Sequence, residues 1–178
     1  MKKHNSIVSP ESSHHSPLKK SMEGRILQIF LALLAMLLTT LIFTIGFACP
    51  CGPLPGLSLA GNQSKEQIDD WSFANDVPLC QIEVDGGYPH SVNLNCMSSA
   101  GELFVSCSKC ASKTWSGYAI ENHEGRIRIE ETVYPVTLRR LTNPGELDGA
   151  WQARTMKLGI DPTRPRPESW WSFQLTSR

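Results

Sequence analysis

The N-terminal part of the chain contains 23 consecutive uncharged residues, from Ile26 to Ala48. A helix rises about 1.5 Å per residue, so this segment would span roughly 35 Å, enough to cross a hydrocarbon core of about 30 Å with some tilt. The pattern predicts one transmembrane helix. A cleaved signal peptide is the alternative, although the apolar region of a signal peptide is typically only about 7–15 residues long.

Farther along the chain the hydrophobic period changes to two. Alternation over 79–84 and over 91–96 predicts two strands, and the turn-forming residues at 85–89 join them into a hairpin. A single register brings the two apolar faces together. That register pairs Val84 with Val92, Ile82 with Leu94, and Cys80 with Cys96.

Four further alternating segments and two helical segments complete the predicted domain. The strands are predicted at 103–107, 126–130, 133–141 and 170–175. One short helix is expected to begin at the capping-box sequence Ser64 to Gln67 and to end near Ala74, and another to begin at Asn143 and end at Gly159. About six strands with short connections predict a mainly β domain, a small antiparallel barrel with helices packed outside it.

The distribution of charge orients the predicted anchor. Five Lys or Arg residues precede the apolar segment, and none occurs between Cys49 and Ser64. The positive-inside bias therefore predicts a single-pass protein of the inner (cytoplasmic) membrane, with its N-terminus inside and its C-terminal domain outside. The 178 residues have a formal net charge of zero. The exterior domain is slightly acidic, which excludes a nucleic-acid partner.

These signals divide the chain into four parts. Residues 1–25 are polar and are expected to form a disordered cytoplasmic tail. Residues 26–48 form the predicted transmembrane helix, and 49–63 a Pro- and Gly-rich linker that lifts the domain off the membrane. Residues 64–178 form the globular domain.

Six cysteines are expected to lie at or beyond the outer surface, where disulfides form. In the predicted register Cys80 and Cys96 either form a disulfide or serve as two small core residues. Cys107 and Cys110 form a C-x-x-C sequence, which fits a structural disulfide or two free thiols. It lacks the βαβ context of a thioredoxin-type redox pair and the second cysteine pair of a zinc site. Cys49 is also considered as a lipid-modified cysteine.

The order of these elements resembles the flavin-binding split-barrel superfamily, which includes pyridoxamine-phosphate-oxidase-like proteins and deazaflavin-dependent nitroreductases. The resemblance covers roughly residues 73–178. It is carried by the sequences GELFVSC at 101–107, SKTW at 112–115, GRIRI at 125–129, VYPV at 133–136, LTNPGELDGAW at 141–151, and WSFQL at 171–175. It implies a split barrel, a flavin (FMN) or deazaflavin cofactor, and a homodimer.

The resemblance also implies a cofactor-binding segment after the strand at 103–107. The residues expected to bind the cofactor there are Ser106, Lys109, Ser112, Lys113 and Trp115. Hydroxyls and cations close together suit a phosphate dianion, and Trp115 would lie against a ring. The alternative is that the two lysines are solvated loop charges. Ser91 stands where relatives that bind FMN often carry a phosphate-clamping arginine, and Tyr118 where many carry an asparagine.

The resemblance and its departures lead to two hypotheses for the function. In the first, the exterior barrel binds a flavin-type cofactor and oxidises or reduces a small organic substrate. Because a flavin performs its own hydride chemistry, this hypothesis requires no catalytic triad. In the second, the barrel has lost its cofactor and acts as a non-catalytic ligand-binding or envelope interaction module. The departure at Ser91 favours the second hypothesis, and the cluster of lysines and serines favours the first.

Overall fold

The computed structural model describes residues 17–48 and 55–178, which form two units. The first unit ends at Ile42 and contains most of helix α1, Pro17–Ala48. Within α1, the segment Gly24–Ile42 is long and apolar enough to cross a membrane, judged by length and composition. The anchor itself stays a prediction. Residues 1–16 and 49–54, with most of the expected tail and with Cys49 and Cys51, lie outside the described residues.

The second unit is built on an antiparallel sheet with helices beside it. Its strands are β1 (Asn62–Gln63), β2 (Cys80–Asp85), β3 (Pro89–Leu94), β4 (Cys96–Ser99), β5 (Glu102–Ser108), β6 (Glu124–Ile129), β7 (Thr132–Arg140) and β8 (Trp170–Ser177). Its helices are α2 (Thr114–Glu121) and α3 (Pro144–Leu158), with 3-10 turns at Ser72–Asn75 and Cys110–Ser112.

The strand order shows why the sheet curls. The strands lie in the order β3-β2-β6-β7-β8-β5-β4, with β1 added to β7. The two strands at the ends of this path, β3 and β4, are consecutive in the chain, and only Asn95 separates Leu94 from Cys96. The two edges must therefore come close together, which bends the sheet into a half-barrel. The predicted fold class, mainly β with flanking helices, is confirmed.

Two apolar clusters lie on the two faces of the sheet. The first includes Ile82, Val105, Ile127, Leu138 and Phe173, all fully buried or nearly so. The second cluster lies between α3 and the other face, where Trp151 packs against Trp170 with ring centroids 5.1 Å apart. Because successive strand residues point to opposite faces, Val105 and Cys107 belong to the first cluster while Phe104 belongs to the second.

The predicted hairpin forms, but its register is different. Cys80 pairs with Leu94, Ile82 with Val92, and Val84 with His90, a shift of two residues from the prediction. A shift of two keeps the same side chains on the same face, so the apolar pattern alone does not distinguish the two registers. The turn does, because Asp85 pairs with Pro89 and accepts a hydrogen bond from the N–H of Gly87.

The helical predictions are confirmed in one case and wrong in the other. Helix α3 begins as expected, since the Asn143 side chain accepts hydrogen bonds from the N–H groups of Gly145 and Glu146, and it ends at left-handed Gly159. The expected helix from Ser64 to Ala74 is absent. There, Ser64 Oγ accepts from Glu66 N in a local turn, and the only helical residues of this stretch are the 3-10 turn Ser72–Asn75.

Residues 55–63, expected as part of the linker, pack against the sheet as a strap. Gly56 exchanges two backbone hydrogen bonds with Ser91 at the free edge of β3. Leu59 N donates to the carboxylate of Glu83 on β2 at 2.5 Å. Asn62 and Gln63 then pair in parallel with β7. The strap therefore contacts strands on one side of the half-barrel, from β3 to β7.

Candidate functional site

The predicted phosphate-binding residues meet in the turn between β5 and α2, called here the β5–α2 turn (residues 109–113). Lys109 adopts a left-handed conformation with φ of 53°. Its carbonyl oxygen accepts from Ser112 N at 3.2 Å and from Ser112 Oγ at 2.9 Å. The side chains of Lys109, Ser112 and Lys113 are exposed. The turn therefore presents two ammonium groups to solvent within five residues.

Helix α2 begins in this turn without a capping side chain. Lys113 occupies the N-cap position and makes no side-chain cap hydrogen bond, and the first turn contains no acidic residue. The first N–H groups of a helix, here those of Thr114, Trp115 and Ser116, have no intrahelical acceptor. No ion pair among the described residues involves Lys109 or Lys113. The helix dipole and the two lysines therefore both make the electrostatic potential at the start of α2 positive.

A disulfide between Cys107 and Cys110 closes the same turn, with the two Cα atoms 5.4 Å apart. The carbonyl oxygen of Cys110 accepts from Lys113 N at 2.9 Å and from Ser116 Oγ at 2.5 Å. Ser116 is fully buried. These contacts hold Cys110 directly against the first turn of α2. The disulfide alternative is confirmed for this pair, and also for Cys80 and Cys96.

The other two predicted residues lie elsewhere. The side chain of Ser106 points to the α3 face of the sheet, where its Oγ accepts from Arg154 Nη1 at 3.2 Å. Trp115 is 3% exposed and packs against Phe173 in the barrel cluster, with ring centroids 5.3 Å apart. The structure therefore brings together Lys109, Ser112 and Lys113. Trp115 was expected to lie against a cofactor ring, but its side chain is already enclosed by the core.

Ser91, the expected departure from the FMN-binding pattern, is fully buried beneath the strap. Its N–H and C=O groups are bonded to Gly56. Its Oγ has no hydrogen-bond partner among the described residues. The strap therefore covers the position where the resemblance predicts a departure from the FMN-binding pattern.

Sequence reasoning missed helix α2 and an aromatic cluster beside it. Tyr118 donates a hydrogen bond to the Tyr88 hydroxyl at 3.5 Å, and this hydrogen bond, followed by burial, raises the pKa of Tyr118. His90 packs edge-on against the ring of Tyr118, and partial burial lowers the pKa of His90. A side chain at Gly86 would collide with the Tyr118 ring at 2.2 Å. The cluster depends on α2, which the alternation pattern could not reveal.

Two half-buried cations on α3 were also missed. Lys157 Nζ donates to the carbonyl oxygens of Ala74, at 2.7 Å, and of Cys96. Burial lowers the pKa of Lys157, opposed by the charge of Asp76, and burial also lowers the pKa of Arg154. These cations are bonded to protein oxygens and stabilise the packing of α3. A lysine near the end of an amphipathic helix carries no distinguishing sequence signal.

Other concave surfaces lie apart from the β5–α2 turn. A cleft of about 410 Å³ is lined by Asp76, Val77, Pro78, Leu79, Gln81, Asn93, Arg128 and Glu130. None of the turn residues lines it. Among the described residues, no group of three or more His, Cys, Asp or Glu side chains is arranged to hold a metal ion.

Comparison with solved structures finds similar proteins of low sequence identity. The chain is similar to a proposed pyridoxamine 5'-phosphate oxidase of Listeria innocua, with 9% identity over 60% of this chain and 88% of that one, at a TM-score of 0.49. It is similar to a FAD-binding protein of Mesorhizobium loti, with 11% identity over 59% and 84% of the two chains, at a TM-score of 0.43.

A third similar structure is a pyridoxamine 5'-phosphate oxidase-related, FMN-binding protein of Nostoc punctiforme, with 12% identity over 60% and 72% of the two chains, at a TM-score of 0.39. No protein-family model and no curated protein matches the chain. The assignment to a half-barrel follows from the strand order and register of this chain itself.

Proposed function

We propose that this chain is a membrane-anchored protein whose exterior half-barrel binds the phosphate of a flavin or deazaflavin cofactor at the β5–α2 turn. The observation that carries the proposal is the uncapped start of α2 beside exposed Lys109 and Lys113. Three N–H groups without intrahelical acceptors and two cations are the donor set that a phosphate dianion requires.

The residues present fit the phosphate better than they fit the predicted ring contact. Each hydrogen bond to a charged phosphate oxygen contributes on the order of 1.5–3 kcal/mol, and the N-terminus of α2 provides such donors without rearrangement. The side chain of Trp115 is enclosed by the core and is not available for stacking. Tyr118 follows Thr114 by one helical turn on the same face of α2, and we assign the ring contact to Tyr118 instead.

The bound cofactor would supply the hydride chemistry for the oxidation or reduction of a small organic substrate. The residues of this chain bind and orient it: the β5–α2 turn holds the phosphate, and Tyr118 with Tyr88 lines the neighbouring surface. A homodimer, which the resemblance implies, is part of the same proposal.

The proposed compartment is outside the cytoplasm. The N-terminal charge bias and the apolar segment of α1 support this placement, as do two disulfides that would not persist in a reducing cytosol. A phosphatase reporter that is active only outside the cytoplasm, fused after Arg178, should be active. An inactive phosphatase with an active cytoplasmic reporter at the same position would reverse the orientation.

Titration of the full chain in detergent with FMN and with riboflavin tests the binding proposal. FMN should bind, and riboflavin, which lacks the phosphate, should bind at least about tenfold more weakly, since losing one set of charged hydrogen bonds costs more than about 1.4 kcal/mol. Replacing Lys109 and Lys113 by Gln should weaken FMN binding and leave riboflavin binding unchanged. Lys65→Gln, at an exposed lysine outside the turn, is the matched control.

Failure of FMN to bind the folded chain would reject the cofactor proposal. Equal binding of FMN and riboflavin would also reject it, as would FMN binding that is unaffected by the two lysine substitutions.

A second function, a ligand-binding or envelope interaction module without a cofactor, is favoured by one observation. The strap buries Ser91, so the edge of β3 is covered where relatives bring in a cation. If the folded chain binds neither flavin nor deazaflavin, this function replaces the first.

A further inference from the structure

The Cys107–Cys110 disulfide has no role in the cofactor proposal, yet its position has chemical consequences. Cys107 is near the end of β5, Cys110 opens the 3-10 turn, and α2 begins at Thr114. The order strand, C-x-x-C, turn, helix places a cysteine pair one 3-10 turn before the start of a helix. A helix dipole and cations close to a thiol lower its pKa. The sequence lacks a βαβ unit, but in the structure β5, the 3-10 turn and α2 follow one another and place a helix start after the cysteine pair.

The contacts of Cys110 fix its relation to α2. Its carbonyl oxygen is bonded to Lys113 N and to the buried hydroxyl of Ser116. Its own N–H donates to Ser169 O at 3.4 Å. Lys109 lies between the two cysteines, and Lys113 follows three residues after Cys110. The backbone of Cys110 therefore lies against the first turn of α2, in a segment that carries two cationic side chains, while its Sγ lies against the carbonyl oxygens of Cys107 and Trp171.

The two cysteines differ in accessibility. Cys107 is 8% exposed, whereas Cys110 is completely buried. An external thiolate can therefore approach Cys107 and not Cys110, which makes Cys110 the leaving group. The second disulfide offers no such route, because Cys80 and Cys96 are 1% and 0% exposed.

The fold depends little on the Cys107–Cys110 bond. It closes a loop of only three residues' separation, compared with 16 for Cys80–Cys96, and a short loop restricts the unfolded chain least. The end of β5 is also held by its pairing with β8, where Cys107 lies opposite Trp171. The domain can therefore keep its structure in both redox states.

We propose that Cys107 and Cys110 are a redox-active pair that exchanges disulfides with dithiol proteins outside the cytoplasm, independently of any cofactor. One thiolate of the dithiol attacks Cys107 Sγ and forms a mixed disulfide. The Cys107–Cys110 bond breaks, and its electron pair leaves on Cys110 Sγ. The second thiolate of the dithiol then attacks the mixed disulfide and releases Cys107 as a thiolate.

This sequence oxidises the partner dithiol to a disulfide. The pair Cys107 and Cys110 gains the two electrons and, after protonation, the two protons that the partner loses. In the reverse sequence the reduced pair Cys107 and Cys110 reduces a partner disulfide. This happens when the partner disulfide has the higher reduction potential, so the direction depends on the two reduction potentials.

The test uses dithiothreitol, a small dithiol, with the full chain in detergent. Aliquots are alkylated at intervals, and peptide mapping then reports each cysteine separately. Cys107 and Cys110 should be reduced on the order of tenfold faster than Cys80 and Cys96, because Cys107 is the most exposed of these four cysteines. The melting temperature should change little after this selective reduction.

The lysine variants provide a readout that a purely structural disulfide would not change. The double variant Lys109→Gln and Lys113→Gln should slow reduction of the pair by about two- to fivefold, since each exposed charge contributes only a fraction of a kcal/mol to a neighbouring thiolate. Lys65→Gln should leave the rate unchanged. Reduction of both disulfides together, at the rate of global unfolding, would overturn the proposal, and so would an unchanged rate in the lysine double variant.

Discussion

Glu83 on β2 and Arg126 on β6 form a largely buried ion pair that also holds the strap. Arg126 Nη2 lies 2.6 Å from Glu83 Oε2, and Arg126 Nε lies 3.0 Å from Glu83 Oε1. The same carboxylate accepts from Leu59 N, and Arg126 Nη2 donates to Ser58 Oγ at 2.9 Å. One pair of charges therefore joins two strands and the segment that precedes them in the chain.

Removal of this carboxylate should destabilise the domain strongly. Glu83→Ala leaves Arg126 without its partner and Leu59 N without its acceptor, and breaking a buried pair costs about 3 kcal/mol or more. Urea unfolding should show this loss, and hydrogen exchange should become faster in residues 55–63. Glu131→Ala is the control, because its carboxylate is 80% exposed and 3.7 Å from Arg128, and it should cost at most about 0.5 kcal/mol. Equal losses in the two variants would contradict this assignment.

The Cys80–Cys96 disulfide should contribute more to stability than the Cys107–Cys110 disulfide. It joins β2 to β4, near opposite ends of the strand order, and so connects the two edges of the curled sheet. Replacing both cysteines by Ala should lower the free energy of unfolding by about 3 kcal/mol, as expected for a loop of this length. The matched variant Cys107→Ala with Cys110→Ala should lose clearly less. A larger loss in the second variant would refute the assigned roles.

The Cys80–Cys96 disulfide shows what the alternation pattern could predict and what it could not. The pattern identified Cys80 and Cys96 as inward-facing and close together, and both statements are correct. It placed them opposite each other in one hairpin, whereas Cys96 begins a new strand at the other edge of the sheet. The period of two determines which side chains of a strand face the core. Which strand it pairs with depends on the turn at Asp85 and on how the two edges of the sheet come together.

For a related reason, the sequence grouped some residues of the candidate site correctly and did not show where the others lie. Lys109, Ser112 and Lys113 are adjacent in sequence, so a local pattern was enough to group them. The side chains of Ser106 and Trp115 depend on strand parity and on α2, an eight-residue helix whose start has none of the usual capping residues. The missing cap concealed the helix from sequence reasoning, and it is also the feature that makes its N-terminus a candidate anion site.

Two glycines should respond oppositely to a methyl group. At Gly125 on β6 a Cβ would lie 2.7 Å from the carbonyl oxygen of Glu83 and 2.8 Å from Leu138 Cδ1. Gly125→Ala should therefore cost about 1–3 kcal/mol, as overpacking typically does. Gly149 in α3 has nothing within 4 Å of the same position, and Gly149→Ala should add about 0.5–1 kcal/mol. Unfolding in urea measures both. A neutral Gly125→Ala would contradict the close approach of β2 and β6.

The domain should become less stable as pH falls below about 6.5, the ordinary pKa of histidine. Partial burial lowers the pKa of His90 in the folded chain, so the unfolded chain takes up the proton first and is favoured. The loss should develop between the ordinary and the lowered pKa and then level off. Melting temperatures between pH 7.5 and 5 measure it. His90→Gln should remove this part of the pH dependence, and a variant with the unchanged pH profile would exclude His90 as its origin.

The most direct test of the account is a titration of the ¹⁵N-labelled full chain in micelles with FMN, followed through its amide resonances. If the β5–α2 turn holds the cofactor phosphate, the largest shifts will occur at the N–H groups of Thr114, Trp115 and Ser116. At the same FMN concentration, Lys109→Gln with Lys113→Gln will reduce these shifts, because the double variant binds FMN more weakly. Shifts that are absent from these amides, or that centre on the cleft around Asp76, would contradict the account.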